Sequence, residues 1–140
     1  MILLDTTILV YAVGGDHPLR ARCAGLIEAI GDGRTSATTT VETVQEFVHV
    51  RARRRGRDEA ARLGARYADL LDPLVSPDAD TLRDGLELYR TVDELGAFDA
   101  VLAALAVSDE RITSIASADR AFASVGRLVV RDPARSDWLD

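Results

Sequence analysis

Short apolar runs and helix-spaced apolar stripes alternate along the chain. Ile2-Leu3-Leu4 is an apolar run that stops at Asp5, the pattern of a buried strand. Thr6 or Thr7 is placed to cap a helix over residues 8–13, and Gly14-Gly15 ends it. His17-Pro18 opens a second helix, with Leu19, Cys23, Leu26, Ile27 and Ile30 at helical spacing and Gly31-Asp32-Gly33 as its stop. Residues 35–39 are short, polar and β-prone. A third helix is predicted over residues 40–55, with Val41, Val44 and Val48 as its buried stripe and Gly56 closing it.

Asp58 is placed to cap a fourth helix carrying Leu63, Tyr67, Leu70 and Leu71. Leu74-Val75 is a candidate strand between Pro73 and Pro77. A fifth helix starts at Asp78, with Leu82, Leu86, Leu88 and Tyr89 as its apolar positions, and Gly96 breaks the pattern. Residues 97–107 form a very apolar helix, 112–116 a strand, 119–123 a short helix and 128–130 a last strand. Strands alternating with helices predict an α/β fold, with a short parallel central β-sheet flanked by α-helices. A single domain over 1–140 is expected, with 131–140 a loosely held tail apart from Trp138 and Leu139.

Composition narrows the function. Hydrophobic residues make up 47% of the 140 positions and charged residues 29%, which argues against a disordered or fibrous chain. No apolar run has the roughly 18 residues of a membrane helix, and the start lacks the basic region of a signal peptide. Cys23 is the single cysteine, so neither a disulfide framework nor a cysteine zinc site is available, and cytoplasmic residence is the expectation. All 17 basic residues are Arg, against 23 acidic ones, for a net charge of −6. Overall charge therefore gives no hold on nucleic acid; a local basic patch or bound cations must supply it.

The placement of the acids then becomes informative. In parallel sheets, sites form beyond the carboxyl ends of the strands. Asp5 stands at such an end, Asp119 just beyond another, Asp99 at the start of an apolar helix and Glu46 within a helix that follows a strand. Each has an ordinary alternative: Asp99 and Asp119 as helix caps, Glu46 as a solvated helix residue. Asp5 is the hardest to explain that way, because so apolar a strand rarely ends in a charge. Together the four suggest a hard-metal site, since Mg²⁺ prefers oxygen ligands. Two such ions, about 4 Å apart, activate a water and stabilise the leaving oxygen of a phosphodiester.

Four segments carry a family resemblance. Ile2-Leu3-Leu4-Asp5-Thr6-Thr7, Val44-Gln45-Glu46-Phe47, Phe98-Asp99-Ala100-Val101 and Ile115-Ala116-Ser117-Ala118-Asp119-Arg120-Ala121-Phe122 occur in the order of the acidic segments of PIN-domain ribonucleases. The chain resembles the VapC-type toxins of bacterial toxin–antitoxin pairs within that family. Thr7 stands where Ser or Asn is usual, and Ser117 where Thr is usual. The resemblance implies a PIN-like fold, a Mg²⁺ or Mn²⁺ site, cleavage of RNA, a homodimer, and a small VapB-like antitoxin that places a basic segment in the acidic cleft. By residue it implies a metal site of Asp5, Glu46, Asp99 and Asp119, with Thr7 or Ser117 in support. Glu42 lies one turn before Glu46 and is the alternate ligand; Gln-Glu-Phe favours Glu46. Asp93 is a candidate for a supporting acidic role.

Arg51, Arg53, Arg54, Arg55 and Arg57 form the one dense basic run, either a phosphate contact or a solvated helix end. Arg90 is an isolated alternative near the acidic segments. His17 reads as a helix-start residue, His49 as a neighbour of Glu46, and Cys23 as apolar filling. Two competing readings are a haloacid-dehalogenase-like phosphatase, which needs a second Asp where Thr7 stands, and a PIN-like module that binds RNA or protein without cutting.

Overall fold

The computed structural model describes residues 1–139. In chain order the elements are β1 (Ile2–Leu4), α1 (Thr6–Val13), α2 (Arg20–Gly31), β2 (Ala37–Thr38), α3 (Val41–Arg55), α4 (Arg57–Leu70), α5 (Ala79–Thr91), α6 (Ala97–Ser108), β3 (Ser114–Ala116) and β4 (Val130–Arg131). A short 3-10 helix, Arg120–Ser124, joins β3 to β4. The strands form one parallel sheet in the order β2-β1-β3-β4, the α/β class that the alternation predicts. Ile115 pairs with Val130 and Ala116 with Arg131. The last strand thus begins two residues later than the apolar run 128–130 suggests.

The chain gathers into two compact units: residues 4–76, and residues 1–3 together with the segment from residue 77 onward. In the first, Leu4, Ile8, Leu9, Leu26, Phe47 and Leu71 are fully buried. Tyr67 meets Phe47 edge to face, with ring centres 4.9 Å apart, and its hydroxyl donates to the Leu9 carbonyl at 3.1 Å. A buried phenol without such a partner costs on the order of 1–3 kcal/mol. The polar stretch around β2 is buried on the same terms. Thr39 donates to the Leu4 carbonyl at 2.7 Å and Thr38 to the Pro73 carbonyl at 2.9 Å. The expected Leu74-Val75 strand is reduced to one parallel bridge, Thr40 to Val75.

Local chemistry moves several helix starts. α1 is capped by Asp5, not by Thr6 or Thr7: the extended backbone at Asp5 aims its carboxylate at the Thr7 amide. α2 begins at Arg20, because Pro18 and Leu19 form a turn, and the His17 imidazole takes the Leu19 amide at 3.2 Å. α4 starts from Gly56, not Asp58. Gly56 has φ of +86°, a left-handed conformation that favours glycine, and it both ends α3 and begins α4.

The buried stripe of α3 also differs from the expected valines. Thr43 and Phe47 point inward, while Val41 is exposed at the open first turn. Thr43 tolerates burial because Thr40 caps the helix through the Thr43 amide and donates to its hydroxyl, both at 3.0 Å. Val44 and Val48 are half-buried against Gly64 of α4, where a side chain would collide with the Val48 methyl.

In the second unit α5 and α6 pack through an equally close approach. A Cβ on Gly85 would lie 2.6 Å from the Val101 Cα. Thr81 and Gly85 face inward, so Leu82, Leu86 and Tyr89 are left 46%, 48% and 50% exposed. Ile112, Ile115, Phe122, Val125 and Trp138 are buried. Arg131 reaches the Trp138 carbonyl at 3.1 Å and the Ser114 hydroxyl at 2.9 Å, tying the residues after β4 to the sheet.

Two glycines give opposite expectations. Gly85→Ala should destabilise by about 2 kcal/mol, a Tm fall of roughly 8 °C, because backbone is in the way. Gly25→Ala, on the exposed face of α2 with open space around it, should gain about 0.5–1 kcal/mol. Thermal unfolding of both variants checks this; equal Tm values would contradict the close α5–α6 approach.

Candidate functional site

Asp5 is 3% exposed and ends a strand whose residues are all buried. Its Oδ2 accepts from the Thr7 hydroxyl at 2.7 Å and from the Thr7 amide at 3.3 Å. The N-terminus of α1 adds a favourable dipole for a negative charge. These contacts give the buried carboxylate hydrogen-bond donors that burial would otherwise deny it. Thr7 thus holds the Asp5 carboxylate through both its amide and its hydroxyl.

Glu46 lies on the exposed side of α3, yet its carboxylate is held: the Thr6 hydroxyl donates to Oε2. From the sequence the supporting role goes to Thr7, two places after Asp5, and Thr6 reads only as a candidate helix cap. Its signal was a polar side chain on a helix start already capped by Asp5. Glu42, one turn earlier, is half-buried, and its Oε2 is a buried oxygen with no hydrogen-bond partner among the described residues.

In the other unit, Asp99 is half-buried in the first turn of α6. It is not the cap, since that position belongs to Gly96. Ser117 is buried directly after β3, and its hydroxyl accepts from the Asp119 amide at 2.9 Å. Asp119 is exposed and caps the 3-10 helix through the Ala121 amide, also at 2.9 Å. A capping role is thus established for Asp119 whatever else it does. Asp93 is exposed in the turn after α5.

The candidate groups in each unit are carboxylate and hydroxyl oxygens, a chemistry that suits a hard divalent cation. Among the described residues, no three or more His, Cys, Asp or Glu side chains are grouped closely enough to hold a metal ion by themselves.

The remaining candidates sort clearly. Arg51 is an internal clamp, bonded to the Val13 carbonyl at 3.1 Å and to Glu59 at 2.6 Å. Arg53, Arg54, Arg55 and Arg57 remain exposed. Arg90 pairs with Glu87 on its own helix at 2.6 Å. His17 stacks on Tyr11 with ring centres 4.3 Å apart, and His49 is exposed. Cys23 is fully buried, and burial pushes its thiol up to about 11, which removes it as a nucleophile near neutrality.

The PIN domain model matches residues 2–128, and the chain belongs to the PIN-domain family. Several of its relatives within that family are VapC ribonucleases. It is 52% identical over 130 residues to Ribonuclease VapC7 of Mycobacterium tuberculosis, covering 92% of this chain and 89% of that protein. It is 34% identical over 128 residues to Ribonuclease VapC13 of the same organism, covering 89% of this chain and 94% of that protein. The same identity and coverage hold for VapC ribonuclease Mb1869c of Mycobacterium bovis.

The buried thiol sets a pH dependence. Unfolded, Cys23 loses its proton near 9.0; folded, it keeps it to about 11. Between these values the folded state binds more protons, so stability falls as pH rises. Tyr67, raised chiefly by desolvation and partly offset by the charge of Arg51, acts in the same direction at still higher pH. Chemical denaturation should show a loss on the order of 2 kcal/mol between pH 9 and 11, shallower in Cys23→Ala. A flat profile would contradict the burial of the thiol.

Proposed function

We infer that this chain is a ribonuclease toxin of the VapC type, hydrolysing RNA phosphodiester bonds in the cytoplasm. The observation that carries this reading is the match to VapC ribonucleases along most of the chain, together with a buried carboxylate at the end of β1. Asp5, Glu46, Asp99 and Asp119 are the residues that hold Mg²⁺ or Mn²⁺, with Glu42 the alternate to Glu46. The bound cation supplies the activation of water and the stabilisation of the leaving oxygen. The chain's own residues do the positioning. Thr7 fixes the Asp5 carboxylate, Thr6 fixes that of Glu46, and Ser117 orders the turn that presents Asp119.

With a net charge of −6, the chain needs the cation to bring a phosphodiester to these acids. The exposed arginines at the end of α3 and start of α4 are the candidates to hold flanking phosphates. Two apolar surfaces support protein partners: the Leu82, Leu86 and Tyr89 stripe of α5, and a groove of about 300 Å³ lined by Val13, Ile27, Leu63, Tyr67 and Leu70, with Arg66 also contributing. A homodimer and a VapB-like antitoxin are the partners we assign to this chain. No helix among the described residues is long and apolar enough to cross a membrane.

RNA cleavage by antitoxin-free protein tests the reading. Activity with Mg²⁺ or Mn²⁺ should vanish with EDTA, and Asp5→Asn or Asp99→Asn should lower it roughly 100-fold or more. Glu46→Gln should cost more than Glu42→Gln. Folded Asp5→Asn and Asp99→Asn proteins that cleave as fast as the unaltered chain would overturn it. A folded chain that binds RNA and never cuts it would favour the binding-module reading.

A further inference from the structure

We propose that Thr6 is a positioning residue that selects Glu46, rather than Glu42, as the helix α3 carboxylate directed to the cation. The proposal rests on the reading that Asp5 and Glu46 are metal-holding residues. It follows from how three neighbouring groups are arranged. Asp5 and Thr6 are adjacent in the chain, at the start of α1. Thr6 is buried, and the single hydroxyl proton it offers goes to Oε2 of Glu46. Thr7, the next residue, spends its hydroxyl on Asp5. Thr7 holds Asp5, and Thr6 holds Glu46.

Glu46 needs this help more than Asp5 does. It lies on an exposed side of α3, and a free glutamate there has several rotamers to lose on binding a cation. Fixing it in advance removes that cost from binding. The Glu42 Oε2 has no hydrogen-bond donor among the described residues. A hydroxyl that hydrogen-bonds a ligating carboxylate typically changes metal affinity by about 10–100-fold when removed.

The test is Mn²⁺ titration of metal-free protein, followed by electron paramagnetic resonance, alongside the Mn²⁺ dependence of RNA cleavage. Thr6→Val keeps the shape and loses the hydroxyl; Thr6→Ser keeps the hydroxyl. Thr6→Val should weaken Mn²⁺ binding about 10-fold and raise the Mn²⁺ needed for half-maximal cleavage, with kcat at saturating metal little changed. Thr6→Ser should restore both. In a Glu46→Ala background Thr6→Val should add nothing. If Thr6→Val fails to fold, Thr6→Ala carries the same comparison with Thr6→Ser.

Unchanged Mn²⁺ affinity in folded Thr6→Val, with Glu46→Ala still weakened, would overturn the role of Thr6 alone. So would an equal loss in Thr6→Val and Thr6→Ser. Unchanged affinity in Glu46→Ala would instead overturn Glu46 as a ligand, and the proposal with it.

Discussion

Asp5 carries a charge into a place that apolar packing made. Ile2, Leu3 and Leu4 are buried, and the strand they form delivers the next residue to the edge of the core at 3% exposure. An isolated carboxylate there would cost several kcal/mol. The cost is met locally: Asp5 caps α1, accepting the Thr7 amide and hydroxyl at the positive end of that helix. One residue therefore ends a strand, begins a helix and presents a charge. Thr6 and Thr7 follow from it, and through Thr6 so does the orientation of Glu46.

Much of this was legible in the chain. The alternation of apolar runs and helical stripes gave the α/β class and nearly every element. The abrupt stop of Ile2-Leu3-Leu4 at Asp5 marked the first acid, and the ordered segments around Glu46, Asp99 and Asp119 carried the family. Detail failed where tertiary packing overrides pattern. Val41 sits at a helical position but faces solvent, because Thr43 and Phe47 take the inward face. Leu82, Leu86 and Tyr89 form a good apolar stripe that points outward, since the close contact with α6 demands Thr81 and Gly85 instead. Hydropathy shows that a face is apolar, not whether its partner lies within the same chain.

Caps were misplaced for a related reason. Any of Asp5, Thr6 and Thr7 has the chemistry to cap α1, and only the backbone angle at Asp5 decides. At α4, Gly56 takes the position that Asp58 seemed to offer, because turning from one helix straight into the next requires a positive φ. The basic run divides in the same way. Arg51 turns inward to Val13 and Glu59, while its neighbours stay in solvent. Sequence proximity alone does not separate a clamp from a phosphate contact.

We propose Asp5 as the anchor of a cation site. A crystal of the metal-free protein soaked in Mn²⁺, with an anomalous difference map, addresses this directly. The prediction is a peak about 2.1 Å from an Asp5 carboxylate oxygen, lost in Asp5→Asn. A map with Mn²⁺ bound only away from Asp5, or none bound beside a well-ordered Asp5 at saturating metal, would contradict it.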